Sequence, residues 1–185
     1  MELIDNIVRP IVDWGIREEL LHGDHTGQRL WEPGHMATAQ VYMKTPGVIC
    51  GIPVAKLTWK VLDPECEIET LAKDGEEGGP GTVIMRVTAK SWVFSAGERL
   101  ALDYLQHMSG IATQARRYVK LVEPYGTRIA DARKGIPVIR YLQKYAVEKG
   151  GAHSHMYSLH NSILLKDNHI KMAGGIRAAV EKLCP

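Results

Sequence analysis

No apolar run in this chain approaches the ~20 residues that a membrane-spanning helix requires, and the opening MELIDNIVRP lacks the apolar core of a signal peptide. Cysteine is scarce. Cys50, Cys66 and Cys184 form an odd, widely spaced set without a C-x-x-C pair, which argues against a disulfide framework or a zinc knuckle. A reducing cytoplasm is the expected compartment. An excess of one charge is also lacking. The formal net charge is +2 over 185 residues, with no long basic run and no basic patch interleaved with aromatics, so nucleic acid is not the expected partner. Neither G-x-G-x-x-G nor a Walker-type loop occurs, nor any internal repeat or low-complexity tract. What is present is enough apolar material (45%) to bury a real core in one large domain or two small ones.

Residues 3–21 carry a loose helical stripe through Ile11, Val12, Ile16 and Leu20, with Pro10 suited to a first turn. H-G-D-H-T (22–26) reads as a turn. A-Q-V-Y-M and G-V-I-C-G read as strands, and residues 54–62 as a helix. E-E-G-G-P-G (76–81) is a loop, and residues 82–87 are a one-sided strand. Ser95-Ala96-Gly97-Glu98 has capping-box spacing. It predicts a helix start at Ser95 with Arg99 in the exposed first turn, an interruption at Ser109-Gly110, and a helical pattern again over 111–122. Further on, residues 127–131 read as a strand ending in Arg133-Lys134. Pro137 opens a helix with Val138, Leu142 and Tyr145 on one face and Gly150 as its stop. Residues 162–165 read as a buried strand ending in Lys166, and residues 176–183 as a helix. Strand and helix alternating at this spacing predict parallel βα units, hence an α/β chain.

In such units ligands gather at the carboxyl ends of strands. Arg133, Lys134 and Lys166 fall there, a pattern suited to paired carboxylates or phosphates, because arginine grips such groups bidentately and lysine acts as a point charge. A solvated basic surface is the competing reading. His153-Ser154-His155, with His160 and His169 near in sequence, lacks the carboxylate or cysteine that would complete a metal set. Pocket or surface histidines are therefore preferred, and no metal ligands are expected among these residues. Arg99, placed where a helix dipole disfavours cations, is either held by an acidic neighbour such as Glu98 or kept for an anionic ligand.

Several blocks in register carry a resemblance. G-E-R-L-A-L-D-Y-L-Q-H-M-S-G-I-A-T (97–113), D-A-R-K (131–134), Y-A-V-E-K-G-G (145–151), Ser154-His155 and L-K-D-N-H-I (165–170) are similar to the nicotinate-nucleotide pyrophosphorylase, or quinolinate phosphoribosyltransferase, family. G-D-H-T and P-G-V-I-C-G-I-P-V-A fit it too. The resemblance implies an α/β subunit with an open-faced α+β sandwich over residues 1–110, then the first part of an incomplete parallel α/β barrel over residues 111–185. The remaining barrel strands, with acidic Mg2+ ligands and glycine-rich phosphate loops, are expected beyond Pro185. It also implies a homodimer or higher oligomer. The implied reaction joins quinolinate to phosphoribosyl pyrophosphate with Mg2+, giving nicotinate mononucleotide, pyrophosphate and carbon dioxide in NAD biosynthesis. Arg99, Arg133 and His155 are implied to bind quinolinate, Arg99 reaching the partner subunit's site. Lys134 and Lys166 are implied to be the catalytic lysines facing the substrates' negative charge.

The departures are specific. The family pattern D-T-R-K-T-T-P-G is here D-A-R-K-G-I-P-V, so Val138 stands in place of the glycine. The family's His-Arg pair is His155-Met156, and Asp103 replaces a common asparagine. The expectation for the chain by itself is little turnover, with a non-catalytic ligand-binding or dimer-partner homologue as the alternative.

Overall fold

Strand β5 (Val83–Lys90) is the centre of the fold's main sheet. It pairs antiparallel with β1 (Met36–Tyr42) on one side and β3 (Glu67–Thr70) on the other. The computed structural model describes residues 2–183, so Cys184 and Pro185 lie outside the described residues. Met85, Val87 and Ala89 recur at every second position of β5 and are buried, as one covered sheet face demands. Past Ile84, which is buried, the opposite face is polar: Thr38 and Thr88 share a hydroxyl hydrogen bond of 2.9 Å, and Arg86 pairs with Glu69 at 2.7 Å, each across a register pair.

The buried face is covered by α3 (Ile52–Leu62) and α4 (Ser91–Val122), whose Ile52, Ala55, Trp59, Val93, Ala101 and Leu105 complete the core. Helix α1 (Asp5–Glu19) packs against both, while α2 (Gly27–Leu30) lies against α4. A second, two-stranded sheet pairs β2 (Gly47–Val48) with β4 (Glu77–Gly78), inside the stretch expected to be only a loop. An open groove of about 840 Å³ runs between the sheet and α4, lined by Gln40, Tyr42, Trp59, Phe94, Leu102 and Arg117 among others.

Four sequence expectations are corrected in this part. Pro10 sits well inside α1, where it contributes no N–H to the helix ladder, and not in the first turn. Strand β5 passes into α4 without a linker, the Ser91 N–H being taken by the His35 carbonyl (2.8 Å), so the helix starts before Ser95. Arg99 therefore lies beyond the first turn, and the dipole argument about it lapses. Finally, α4 is a single helix of 32 residues that runs through Ser109-Gly110 without a break.

Past α4 and a 3-10 turn (Glu123–Tyr125), residues 127–131 form no full strand. Their pairing is one parallel bridge, Ala130 with His153, with His153 N–H donating to the Ile129 carbonyl (2.8 Å) and Asp131 N–H to the His153 carbonyl (3.0 Å). The next helix, α5 (Arg140–Lys149), begins after Pro137 and Val138, so Val138 is 73% exposed and not on the buried face. The left-handed residue that ends α5 is Gly151 (φ 91°), whereas Gly150 keeps a helical φ of −72°.

The chain divides into two compact units after His155. The second contains α6 (Asp167–Ala173), which the periodicity did not suggest, and α7 (Ile176–Leu183), which it did. Residues 162–165 form no strand. Ile163 and Leu164 are exposed, because no strand among the described residues pairs with this segment. Helices and strands are mixed throughout, in keeping with the α/β reading, and no helix among the described residues is long and apolar enough to cross a membrane.

Candidate functional site

The parallel bridge decides where the candidate side chains go. Two segments in parallel register leave it in the same direction: one continues into Ala132-Arg133-Lys134, the other into Ser154-His155. This brings Arg133, Lys134 and His155 to the carboxyl-end edge of one strand-like pair, the position at which parallel βα units expose ligands.

Beneath that edge lies a buried ion pair. Lys144 of α5 is 2% exposed, and its ammonium sits 2.7 Å from both carboxylate oxygens of Asp131. It also reaches Ser154 Oγ (3.3 Å) and the His155 carbonyl (3.5 Å). Asp131 Oδ1 accepts the His155 N–H at 2.7 Å. Sequence reasoning gave Lys144 no role. The available signal was its place among Tyr141, Leu142 and Tyr145, all buried, since a lysine in a core stripe requires a carboxylate partner.

The loop between Lys134 and α5 is held by side chains of α5. Gln143 Oε1 accepts the Ile136 N–H (2.9 Å), and Arg140 donates to the Gly135 carbonyl (3.4 Å). Within this loop Val138 has φ 71°, the one positive φ of a non-glycine residue among those described. A β-branched side chain there costs about 1–2 kcal/mol, and Val138 replaces a glycine of the family pattern. Val138→Gly removes that strain while adding roughly 0.5–1 kcal/mol of chain entropy cost. The expected net result is a stabilisation of up to about 1.5 kcal/mol, visible as a raised thermal midpoint. A lowered midpoint contradicts the strain.

Arg99 projects from α4, largely exposed, and its acidic neighbour is Asp103 at 3.7 Å, one turn on, in place of Glu98. Such an exposed pair contributes little and leaves the guanidinium available. Arg99 makes no polar contact with Arg133, Lys134 or His155. Lys166 belongs to the second unit. It caps α6 by giving its backbone N–H to His169 Nδ1 (3.3 Å), and its side chain is exposed. Arg99, Arg133, Lys134 and His155 do not line the 840 Å³ groove, so that groove and the cationic edge are separate features. No three His, Cys, Asp or Glu side chains gather to hold a metal among the described residues.

Comparison with known proteins places the chain in a family. Two family models match: the quinolinate phosphoribosyl transferase N-terminal domain over residues 24–109 and the C-terminal domain over residues 111–184. A probable nicotinate-nucleotide pyrophosphorylase [carboxylating] of Synechocystis sp. is 37% identical over 96% of this chain and 60% of its own length. One from Bacillus subtilis is 33% identical over 89% of this chain and 57% of its own. The solved nicotinate-nucleotide pyrophosphorylase of Francisella tularensis superposes with a TM-score of 0.91 at 34% identity, covering 98% of this chain and 64% of that one. The chain thus spans 60% or less of the length of these two curated relatives. By both of its matched domains, it belongs to the quinolinate phosphoribosyl transferase family.

Proposed function

We propose that this chain takes part in quinolinate phosphoribosyl transfer, with quinolinate and phosphoribosyl pyrophosphate as substrates and the cytoplasm as its compartment. In this reading residues 1–110 are the sandwich, residues 111–185 are the first part of the barrel, and the subunits form a homodimer or higher homo-oligomer. The observation that carries the reading is the shared exit of Arg133, Lys134 and His155 from the Ala130–His153 bridge. Quinolinate bears two adjacent carboxylates, so its recognition needs fixed cations and donors at one edge. Arg133 and His155 bind it, Lys134 and Lys166 act as the catalytic lysines facing substrate negative charge, and Arg99 serves the partner subunit's site.

The chemistry asks for positioning and electrostatics. Departure of pyrophosphate leaves cation-like character on the ribose, which the pyridine nitrogen traps. Loss of carbon dioxide from the adjacent carbon then leaves negative charge that the new pyridinium stabilises. The family implies Mg2+ for phosphoribosyl pyrophosphate; among the described residues no three His, Cys, Asp or Glu side chains gather to hold it.

Met156, standing where the family carries a second arginine, favours the other reading, a non-catalytic binding or dimer-partner homologue. Calorimetry separates the outcomes. Quinolinate is expected to bind, and Arg133→Ala to weaken it about tenfold, ~1.4 kcal/mol, as for a partly exposed charge-assisted contact. Absence of binding by the parent chain overturns both readings. Adding phosphoribosyl pyrophosphate and Mg2+ is expected to give little nicotinate mononucleotide, and robust turnover removes the non-catalytic reading.

A further inference from the structure

We infer that Lys144 is a positioning residue, fixing through Asp131 the backbone from which His155 presents its imidazole. The inference rests on the quinolinate reading for what His155 does, but its geometry stands alone. A lysine ammonium has three N–H donors. Two meet the Asp131 carboxylate at 2.7 Å each, and Ser154 Oγ (3.3 Å) and the His155 carbonyl (3.5 Å) complete the surroundings. Ser154 Oγ donates in turn to that same carbonyl at 3.2 Å. The His155 N–H goes to Asp131 Oδ1 at 2.7 Å. Both backbone polar groups of His155 are therefore held, one by the anion and one from the side of the cation. The side chain is left exposed, with no role in the clamp.

Asp131 also acts on the other strand-like segment. Its own N–H donates to the His153 carbonyl (3.0 Å), and two residues later the chain reaches Arg133. One ion pair thus sets the register of Arg133 against His155. A buried pair of this kind contributes little net stability compared with apolar residues of equal volume. Its evident effect is to give two loop ends one fixed geometry, as a dicarboxylate site needs.

The test uses Lys144→Met and the double variant Asp131→Leu/Lys144→Met, with three readouts: thermal midpoint, amide exchange of His155 by NMR, and quinolinate affinity by calorimetry. The single variant leaves the half-buried Asp131 without its cation, so a drop in midpoint is expected. The double variant removes both charges, and its midpoint is expected to return near the parent's. In the double variant the His155 amide is expected to exchange at least tenfold faster than in the parent, and quinolinate affinity to remain at least tenfold down. If the double variant recovers binding together with stability, the pair is merely structural and the inference is overturned. Parent-like protection of the His155 amide in the double variant overturns it as well, whatever the ligand result. A parent chain that binds no quinolinate defeats the functional reading, while the exchange rates still decide whether the pair clamps His155.

Discussion

Asp74→Ala is expected to lower the free energy of unfolding by about 3 kcal/mol, measured by urea denaturation. The Asp74 carboxylate accepts three hydrogen bonds: from the N–H groups of Gly51 (3.1 Å) and Ile52 (3.0 Å), and from the Tyr145 hydroxyl (2.8 Å). The two amides open α3, where the helix dipole favours an anion. Gly51 itself, at φ 107°, lies in a region that a residue with a side chain rarely enters. Tyr145 is 5% exposed, so its hydroxyl has no solvent to turn to when Asp74 is lost. Burial, reinforced by the neighbouring carboxylate, pushes the Tyr145 phenol far above the ordinary tyrosine range, which keeps it a donor at every working pH. Tyr145→Phe removes that one donor and leaves the carboxylate its two amides, so about 1 kcal/mol is expected. Equal losses from the two variants contradict this division. Tyr145 follows Lys144 on α5, so Asp74 ties the helix carrying the buried lysine to the start of α3.

How much of this was legible in the sequence depended on where the stabilising partner sits. Helices α1, α3 and α7 carry their own apolar stripes, and β5 alternates, so the pattern revealed them. Strand β3 (E-I-E-T) offers a single apolar residue. It forms because β5 supplies backbone partners and Arg86 supplies a counter-charge for Glu69, neither of which is local. The opposite error occurs at residues 162–165, where apolar composition suggested a strand and no partner strand is described. At Ser95 a correct local motif was outweighed by tertiary context. The buried Val93 and the absence of any linker after β5 extend α4 backward through what looked like its cap. In the candidate site, the cations Arg133 and Lys134 were readable because strand-end charges are conspicuous. Lys144 and Asp131 were not, since a buried pair looks in sequence like two ordinary surface charges. The sequence blocks identified a family, while the ion pair beneath the cationic edge required coordinates.

The same glycine-to-alanine change is expected to act in opposite directions at Gly150 and Gly110. At Gly150 the backbone is helical (φ −72°), so alanine meets no conformational objection. The obstacle is space: a Cβ there would lie 2.4 Å from the Ala112 carbonyl oxygen and 2.6 Å from Ala115 Cβ, both on α4. The first of these is backbone and cannot rotate away, so α5 must shift from α4. That shift would strain the bonds from Arg116 to the carbonyls of Gly150 (2.9 Å) and Lys149 (3.4 Å). A loss of about 3 kcal/mol follows for overpacking combined with these strained contacts. Gly110 lies mid-helix in α4 with nothing near its missing Cβ, and alanine there is expected to add about 0.5–1 kcal/mol through helix propensity. Gly110 stands between the two regions matched by the family models, inside an unbroken helix, while Gly150 marks where the later region packs on that helix. If Gly150→Ala is as harmless as Gly110→Ala, the close seating of α5 on α4 is wrong, and with it the fixed position of Lys144 beneath the cationic edge.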